Sequence, residues 1–339
     1  MPDFLYPTNY QLRAIAREKE ARLVENRLGF QLMPMRDVDA AMVEWEQWDN
    51  YTGLQNVRGI NGEPTRVTRL GSKRYRMLPG YYGEFTRIDE KEMTERRAFG
   101  DPFRPVNITD LVMSAQDHLL SRRLDRIELI IWTLLSTGAF AIIDAQGVLQ
   151  HTDTYPIQTF SAIVPWATSA TATPLADLRA IQLLGRGKGA QFGSSAQAIM
   201  NRTTYNTLIA NTNNTDLSRR FNTIATSVSS LEAINTVITA EGLPQLTIYD
   251  ETYFDSAGAT QLFIPNNKVV IIGTRPSGQT IGEYQLTRNV NTVPALRPGA
   301  YMRVFDNGEE TVPRNIEVHD GHNGGPAIFF PSAVVVATV

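Results

Sequence analysis

The chain has 339 residues, of which 42% are hydrophobic and 20% are charged, and its formal net charge is -3. This apolar content is enough for one large core or for two to three smaller ones, and the modest charge excludes a disordered chain. The balance of 32 basic and 35 acidic residues gives no bulk field that would recruit nucleic acid or an anionic membrane. Cysteine is absent, which excludes disulfides, thiolate catalysis and cysteine-ligated metal centres.

Arginine dominates the basic residues, because only 5 of the 32 are lysine and the other 27 are arginine. The planar guanidinium suits bidentate pairing at interfaces, whereas lysine is the commoner charge on free surfaces. Codon bias in a GC-rich genome explains the same excess equally well. The composition therefore leaves both interpretations open.

Residues 9–26 have the pattern of a helix with one thin apolar stripe. The stripe is too narrow for a core helix, so we expect residues 1–40 to form a terminal arm that lies across another surface. No basic segment followed by an apolar run begins the chain, and the sequence predicts no signal peptide. The longest apolar stretch, Ile127–Ile143, is too short and too polar to span a bilayer.

Residues 41–95 are rich in glycine, arginine and tyrosine and poor in aliphatic side chains. Val57–Ile60 and Thr65–Leu70 flank Asn61-Gly62, a dipeptide that favours a tight turn, so the pattern predicts a long β-hairpin. Such a hairpin has no core of its own and must rest on something else. It is either an edge protected by its charges or an arm that docks on an acidic surface of a neighbouring chain. Its basic side chains are Arg66, Arg69, Lys73, Arg74 and Arg76.

The strongest helical pattern covers residues 107–137. Asn107 is suited to the N-cap, Asp110 lies in the first turn, and Gly138 is a natural stop. At 1.5 Å per residue the helix is a rod of roughly 45 Å, which is longer than the average globular helix. It is therefore predicted to be a structural backbone.

The remaining pattern mixes helices and strands without regular βαβ alternation, which predicts an α+β fold. The predicted strands are Phe140–Ile143, Val148–Gln150, Pro156–Val164, Leu246–Asp250, Gln261–Ile264, Lys268–Gly273 and the terminal run Ala327–Val339. The predicted helices are Leu175–Leu184, Ser194–Asn211 and Thr215–Glu241. The terminal run is so apolar that it must be buried within a sheet.

Three patterns could carry chemistry, and each is weak. The glycine-rich segment after Leu184 resembles a phosphate cradle, but Lys188 is followed by glycine instead of the serine or threonine of a P-loop. No G-x-S-x-G elbow is present. His319 and His322, with Asp320 between them, could gather a metal ion, although no further ligands are evident. We therefore predict no catalytic, cofactor or metal site.

The order of the elements, from a terminal arm and a charged hairpin to a long helix, a mixed domain and a terminal strand, resembles the tailed-phage major capsid proteins. The closest resemblance is to the lambda-like capsid protein E family, which has the Hong Kong 97-type fold, and it covers roughly residues 40–339. The motifs that carry it are Pro79-Gly80-Tyr81 with Glu84, Arg126-Ile127-Glu128 with Trp132 and Gly138, Pro174–Leu178, Ile248–Tyr253, Phe263–Asn267, Arg297-Pro298-Gly299 and Phe330–Val335.

The resemblance implies five parts of the chain. The expected order is an N-terminal arm (1–40), an extended loop (41–95), a peripheral domain (96–184) with a spine helix (107–137), an axial domain (185–300) and C-terminal strands (301–339) that return to the peripheral and axial core.

The resemblance also implies contacts between subunits. The expected extended-loop contacts are Arg66, Arg69, Lys73, Arg74, Arg76, Tyr81 and Glu84. The expected acidic partners on the spine helix and its flank are Glu92, Glu95, Asp117 and Asp125. The expected arm contacts are Arg13, Arg17 and Glu20. Some capsids of this fold join Lys to Asn covalently, and Lys73 or Lys91 could serve, but arginine–carboxylate clamps are favoured here.

The function expected from the resemblance is that of a non-enzymatic major capsid protein of a tailed double-stranded DNA phage. It would assemble with itself into hexamers and pentamers of an icosahedral shell in the host cytoplasm and remain in the virion. Scaffold, portal and decoration proteins are expected partners. The shell would enclose DNA without sequence-specific binding, and no membrane is involved. The alternatives are an encapsulin-like nanocompartment shell and, from another class, a metal-dependent enzyme that uses His319, Asp320 and His322.

Overall fold

The computed structural model describes residues 9–48, 53–95, 107–143, 146–210, 231–274, 280–292, 295–307 and 312–339. The helices are α1 (Asn9–Glu25), α2 (Leu28–Leu32), α3 (Glu90–Glu95), α4 (Ile108–Thr137), α5 (Pro174–Leu184), α6 (Arg202–Ile209), α7 (Leu231–Ala240) and a 3-10 turn (Pro331–Ala333). The strands are β1 (Met35–Asp37), β2 (Val43–Trp48), β3 (Ser72–Met77), β4 (Gly80–Ile88), β5 (Ala139–Ile143), β6 (Leu149–Thr154), β7 (Gln158–Ser161), β8 (Gln197–Met200), β9 (Gln245–Ile248), β10 (Thr252–Phe254), β11 (Thr260–Leu262), β12 (Lys268–Ile272), β13 (Gly282–Leu286), β14 (Arg288–Asn289), β15 (Arg297–Pro298), β16 (Tyr301–Asp306), β17 (Ile316–Ile328) and β18 (Val334–Thr338).

The long helix α4 has the ends that the sequence predicts. The Asn107 side chain accepts a hydrogen bond from the backbone N–H of Thr109, which satisfies one of the free donors of the first turn. Gly138 ends the helix in the left-handed conformation with φ 73°, and its N–H bonds to the Leu134 carbonyl. A Cβ at this position would lie 2.8 Å from the Tyr155 carbonyl oxygen, so only glycine fits.

The first large sheet packs against α4 and is organised around β17. The strand order is β1-β13-β17-β16, and β4 pairs with the other side of β17. The first part of β17 lies between β16 and β4, and its last residues pair with β13. Leu124, Ile127, Ile131 and Trp132 of α4 are completely buried in the core that this sheet helps to form.

The second large sheet has the order β7-β18-β12-β8-β9 and holds the C-terminal strand near its centre. Its core includes side chains from α5, α6 and α7. The predicted burial of the chain end is confirmed, because Val334–Ala337 are buried between β7 and β12. The single run predicted for Ala327–Val339 is instead the end of β17, a 3-10 turn at Pro331 and then β18 in the other sheet.

The hairpin predicted within residues 41–95 is wrong in its strands. Val57–Ile60 and Thr65–Leu70 are not strands; β2 pairs with β3 instead, and residues 53–71 between them have no regular structure beyond a turn. The side chains of Val57 and Ile60 are each 99% exposed. Strand pairing depends on a face that is buried, and none of the residues that the structure describes covers this segment.

The helix predicted for Ser194–Asn211 is also wrong in its first half. Residues Gln197–Met200 form β8 between β12 and β9, and α6 begins only at Arg202. Asn201 is the N-cap, and its side chain accepts from the N–H of Thr204 at 2.8 Å. Of the helix predicted for Thr215–Glu241, α7 confirms the last part, and residues 215–230 lie outside the described residues.

A buried carboxylate joins three separate parts of the chain. Glu128 of α4 has no exposed surface, and it accepts hydrogen bonds from the Arg27 guanidinium at 3.1 Å and from the backbone N–H of Gly29 at 3.3 Å. The indole of Trp132 donates to it at 3.3 Å, and so does the hydroxyl of Tyr249, which follows β9. Burial and the bond to Glu128 raise the Tyr249 pKa. Glu128 thus ties the N-terminal segment to α4 and to the second sheet.

A second buried charge holds α1 against the first sheet. The guanidinium of Arg123 on α4 pairs with Glu20 of α1 at 3.1 Å and with Asp320 of β17 at 2.6 Å. Burial raises the Asp320 pKa to about 6, and the positive charge of Arg123 opposes that rise. The carboxyl group of Asp320 therefore binds a proton at a higher pH in the folded chain than in the unfolded chain.

His322 lies two residues further along the same buried face of β17. Its Nε2 forms a hydrogen bond with the Tyr284 hydroxyl at 3.0 Å, and its ring stacks on Tyr82. Burial, together with the nearby positive charges of Arg123 and Arg126, lowers the His322 pKa to about 3. The folded chain therefore keeps this imidazole neutral at a pH where an unfolded chain would protonate it.

We expect Glu128→Gln to lower the free energy of unfolding by about 3 kcal/mol, because the donors around this buried carboxylate lose a charged acceptor. Urea unfolding followed by circular dichroism measures the change. Glu18→Gln is the control, since Glu18 pairs with Arg22 on the exposed face of α1 and should cost no more than about 0.5 kcal/mol. A Glu128→Gln variant as stable as the control variant would contradict a central role for this carboxylate.

We expect His322→Phe to reduce the loss of stability in acid. Because the folded pKa lies below the unfolded value, His322 stabilises the folded chain fully above pH 6.5, and that contribution is lost as the pH falls toward 3. Between pH 4 and 6 the slope of the unfolding free energy against pH should differ from wild type by about 1.4 kcal/mol per unit. The raised folded pKa of Asp320 changes this slope in the opposite direction. Because Asp320 is present in both proteins, its effect does not enter the difference between them.

The control for this measurement is Tyr284→Phe, which removes the hydrogen bond to His322 but keeps the imidazole. This variant should be less stable at pH 7 and keep the wild-type slope. Equal slopes for all three proteins would mean that His322 does not titrate between the folded and unfolded states.

Candidate assembly surfaces

The N-terminal helix α1 and the residues after it lie along α4. Lys19 pairs with Asp117 at 2.6 Å, and Arg27 pairs with Asp125 at 2.7 Å. Glu20, expected as an arm contact, pairs with Arg123 as described above. Three of the acidic groups expected to face a neighbouring subunit therefore have basic partners within their own chain.

The thin apolar stripe of α1 is covered within the subunit. Leu12 and Ala16 are buried, and the side chain of Gln116 on α4 donates to the Leu12 carbonyl at 2.7 Å. The Arg13 guanidinium donates to the Met302 carbonyl of β16 at 3.2 Å, whereas Arg17 is exposed. The predicted arm thus packs on the body of its own chain over the range that the structure describes.

The base of the loop, formed by β2 and β3, carries opposite charges on paired strands. Arg74 lies opposite Glu46 and pairs with it at 3.1 Å, and Arg76 lies opposite Glu44 in the register. Lys73 lies opposite Gln47. Acidic residues of the same hairpin therefore face two of the arginines that were expected to reach a neighbour.

The loop itself, residues 53–71, projects with little contact to the body. Arg66 and Arg69 are exposed, and no acidic partner is found for them among the described residues. Its large apolar side chains are exposed as well. They are Leu54 (93% exposed), Val57 (99%), Ile60 (99%), Val67 (73%) and Leu70 (45%).

The outward face of the first sheet is aromatic. Phe85 of β4 stacks on His319 of β17 with ring centroids 5.1 Å apart, and Phe305 of β16 meets the same imidazole edge-on at 5.1 Å. Phe85 is 58% exposed and Phe305 is 44% exposed. Tyr81 lies on the same side of β4 and is also exposed. We name Tyr81, Phe85, Phe305 and His319 the aromatic face.

Sequence reasoning found Tyr81 but not Phe85, Phe305 or His319 as surface residues. The alternation of exposed positions 81, 83, 85 and 87 along β4 is the pattern that could have indicated them. Glu84 points to the other side, where Arg122 of α4 forms a bidentate pair with it at 2.5 and 2.8 Å. The hydrogen bonds from Arg122 lower the Glu84 pKa.

The remaining acidic candidates lie on α3, a short helix with no buried residue. Glu92 is partly exposed and Glu95 is exposed, and Lys91 comes within 3.9 Å of Glu95. This helix directly follows β4. The covalent crosslink considered for Lys73 or Lys91 stays the less favoured alternative to arginine–carboxylate clamps.

The metal hypothesis for His319, Asp320 and His322 is wrong in its geometry. His319 lies on the outward face beside Glu317, whereas Asp320 and His322 point into the core toward Arg123 and Tyr284. Among the residues that the structure describes, no three side chains of the ligand types gather around one point. None of the described helices has the length and hydropathy that a membrane span needs.

Solved structures share this architecture. The putative capsid protein of a prophage from E. coli CFT073 is 15% identical, with a TM-score of 0.64, over 98% of this chain and 99% of that chain. A phage-related protein from Bordetella bronchiseptica RB50 is 10% identical, with a TM-score of 0.52, over 94% of this chain and 95% of that chain. These likenesses confirm the Hong Kong 97-type α+β fold expected from the sequence. No curated protein matches the chain.

The family comparison covers most of the sequence. Residues 12–312 match the family model described as phage major capsid protein E. This match confirms the resemblance found in the sequence motifs. Membership of this family indicates a structural role in the virion. It does not favour the nanocompartment shell or the metal-dependent enzyme. This chain belongs to the phage major capsid protein E family and is a protein of the phage head shell.

Proposed function

We propose that this chain is the repeating subunit of the icosahedral head of a tailed double-stranded DNA phage and that it assembles by laying loop 53–71 on a neighbouring copy. The observation that carries the proposal is the exposure of Leu54, Val57 and Ile60 on a loop without a core. Burying an aliphatic side chain of this size contributes about 1.5–3 kcal/mol. A subunit surrounded by copies of itself offers the surface on which that burial can occur.

The aromatic face is the surface that we propose receives the loop. Phe85 and Phe305 present exposed rings on the outward side of the first sheet, and contiguous exposed apolar area of this kind is typical of interaction sites. Glu317 borders the face and offers a carboxylate to Arg66 or Arg69 of the incoming loop. The loop and the face are different patches of one chain, so their contact can repeat around a ring of subunits.

The division of the chain into domains is also part of this proposal. We propose that α4 and the first sheet form the peripheral domain and that the second sheet with α5, α6 and α7 forms the axial domain. In this division β7 and β18 belong to the axial sheet, and β13 belongs to the peripheral sheet. The domain boundaries expected at residues 184 and 300 are then not kept, because each sheet contains strands from both sides of at least one of them.

The other partners follow from the role of a head shell. We propose that assembly takes place in the host cytoplasm with scaffold and portal proteins, and that decoration proteins can join the finished shell. With a net charge of -3 the subunit encloses DNA without a strong general attraction to it.

We expect Val57→Asp combined with Ile60→Asp to prevent the formation of closed particles. Two buried aliphatic side chains per loop contribute about 3 kcal/mol or more, so the contact of each loop with its neighbour should weaken by about a hundredfold or more. Particle yield is measured by negative-stain electron microscopy of the expressed chain, together with the head genes that neighbour it.

Thr65→Asp is the matched control, because Thr65 is an exposed polar residue of the same loop. Circular dichroism should show the same fold for all variants. Closed particles at the wild-type yield from the double variant would contradict the proposed role of the loop.

We also expect Arg66→Glu combined with Arg69→Glu to reduce particle yield more than Lys268→Glu does. Both arginines are exposed on the loop, whereas Lys268 bonds to Thr338 within its own subunit. Reversal places like charges against the acidic surface that the loop is proposed to meet. The same negative-stain electron microscopy measures the yield, and equal yields would count against a charge clamp at this loop.

A further inference from the structure

The turn in the middle of loop 53–71 contains an asparagine that is followed by glycine. Asn61 is exposed and has a left-handed backbone with φ 67°, and Gly62 is the next residue. Among the residues that the structure describes, no hydrogen bond holds the side-chain amide of Asn61. This amide can therefore rotate toward the backbone nitrogen of Gly62.

Few contacts hold the backbone of this turn in one conformation. The Gly62 N–H donates to the Gly59 carbonyl at 3.0 Å, and the Arg58 guanidinium donates to the Gly62 carbonyl at 3.2 Å. Both bonds join residues of the same turn, and the neighbouring Val57 and Ile60 are each 99% exposed. Exposed segments of this kind open locally at little cost in free energy, so solvent reaches the Gly62 nitrogen.

The same dipeptide occurs inside the fold, at Asn323-Gly324 of β17. The Asn323 side chain donates to the Arg288 carbonyl at 3.0 Å and accepts from the Asn289 side chain at 3.3 Å. Gly324 is buried, and it is paired with β4 on one side and with β13 on the other. The chain thus carries the same pair of residues once in a loose turn and once fixed in a sheet. A further such pair, Asn307-Gly308, has its glycine outside the described residues.

We propose that Asn61 is a site of spontaneous deamidation in the unassembled subunit. The Gly62 nitrogen gives its proton to solvent and attacks Cγ of Asn61, which glycine favours because it has no Cβ to hinder the approach. A cyclic imide forms when the bond from Cγ to the side-chain nitrogen breaks, and this nitrogen takes up a proton and leaves as ammonia. Water then opens the ring at either carbonyl and leaves aspartate or isoaspartate. The reaction consumes water and releases ammonia, and nothing is oxidised or reduced.

The reaction changes the surface that we propose meets a neighbouring subunit. Either product adds a negative charge beside Ile60, and isoaspartate also lengthens the main chain. Docking on the aromatic face would then bring a carboxylate to an apolar surface that Glu317 borders, which is unfavourable. This consequence, unlike the chemistry, rests on the proposed function: a subunit that stays unassembled gradually loses its ability to assemble, and a covered loop is protected.

Peptide masses test the proposal, because trypsin cuts after Arg58 and Arg66 and releases residues 59–66 as one peptide. Wild-type subunits and closed particles are separated by sedimentation and kept at mildly alkaline pH in water enriched in heavy oxygen, and they are then digested in ordinary water. Uptake of the heavy oxygen at Asn61 counts only the deamidation that occurs during the incubation. Fragmentation of the peptide 315–339 gives the same measurement at Asn323.

In unassembled subunits we expect Asn61 to be converted at least about tenfold faster than Asn323, because Gly324 can react only when the sheet opens. Asn61→Gln is the matched control, since glutamine must form a larger ring and should stay unchanged. Conversion of Asn61 no faster than that of Asn323 would overturn the proposal. If all of the wild-type chain assembles, Val57→Asp with Ile60→Asp supplies unassembled subunits that retain Asn61-Gly62.

The particles test the proposed function separately. If the loop is covered in the shell, Asn61 should be converted more slowly in closed particles than in unassembled subunits. Equal conversion in both would support the deamidation site and contradict burial of the loop.

The variant Asn61→Asp reproduces one product of the reaction. We expect it to lower the particle yield relative to Asn61→Gln in negative-stain electron microscopy, because only the first adds a charge to the loop. Equal yields for the two variants would contradict the effect of deamidation on assembly.

Discussion

The buried carboxylate of Glu128 is the interaction on which the rest of the subunit depends. Its partners come from the N-terminal segment, from α4 itself and from the end of β9, which are distant in sequence. A buried charge that is left without its hydrogen bonds costs several kcal/mol, so all these segments must be in place together. This requirement fixes the N-terminal segment and the end of β9 in the second sheet against the long helix.

The rigid body contrasts with the surfaces that we propose for assembly. Inside the body, acids such as Asp117 and Asp125 are already neutralised by Lys19 and Arg27. Outside it, loop 53–71 exposes aliphatic side chains, and its Arg66 and Arg69 have no acidic partner among the described residues. Groups that the subunit leaves uncovered and unpaired are those that can gain free energy when a second copy arrives.

Local patterns predicted the elements that depend on local interactions. The cap at Asn107 and the stop at Gly138 satisfy the ends of α4 through contacts within the same few residues. The two wrong assignments have a common cause. Val57–Ile60 has the composition of a strand but no surface to pair with, and Gln197–Met200 continues a helical pattern but is taken into the sheet by β12 and β9. In the first case the tertiary contact that a strand needs is missing, and in the second a tertiary contact overrode the local propensity.

The sequence by itself determined the mixed class, the long helix, the buried chain end and, through the order of its motifs, the capsid family. These properties depend on composition and on periodicity along the chain, which a sequence displays directly. Only the tertiary structure decided which charges face outward. Glu20 and Arg17 look equally exposed in the sequence of α1, yet one is paired with a buried arginine and the other has no acidic partner among the described residues. That difference is set by residues more than a hundred positions away, and no local pattern records them.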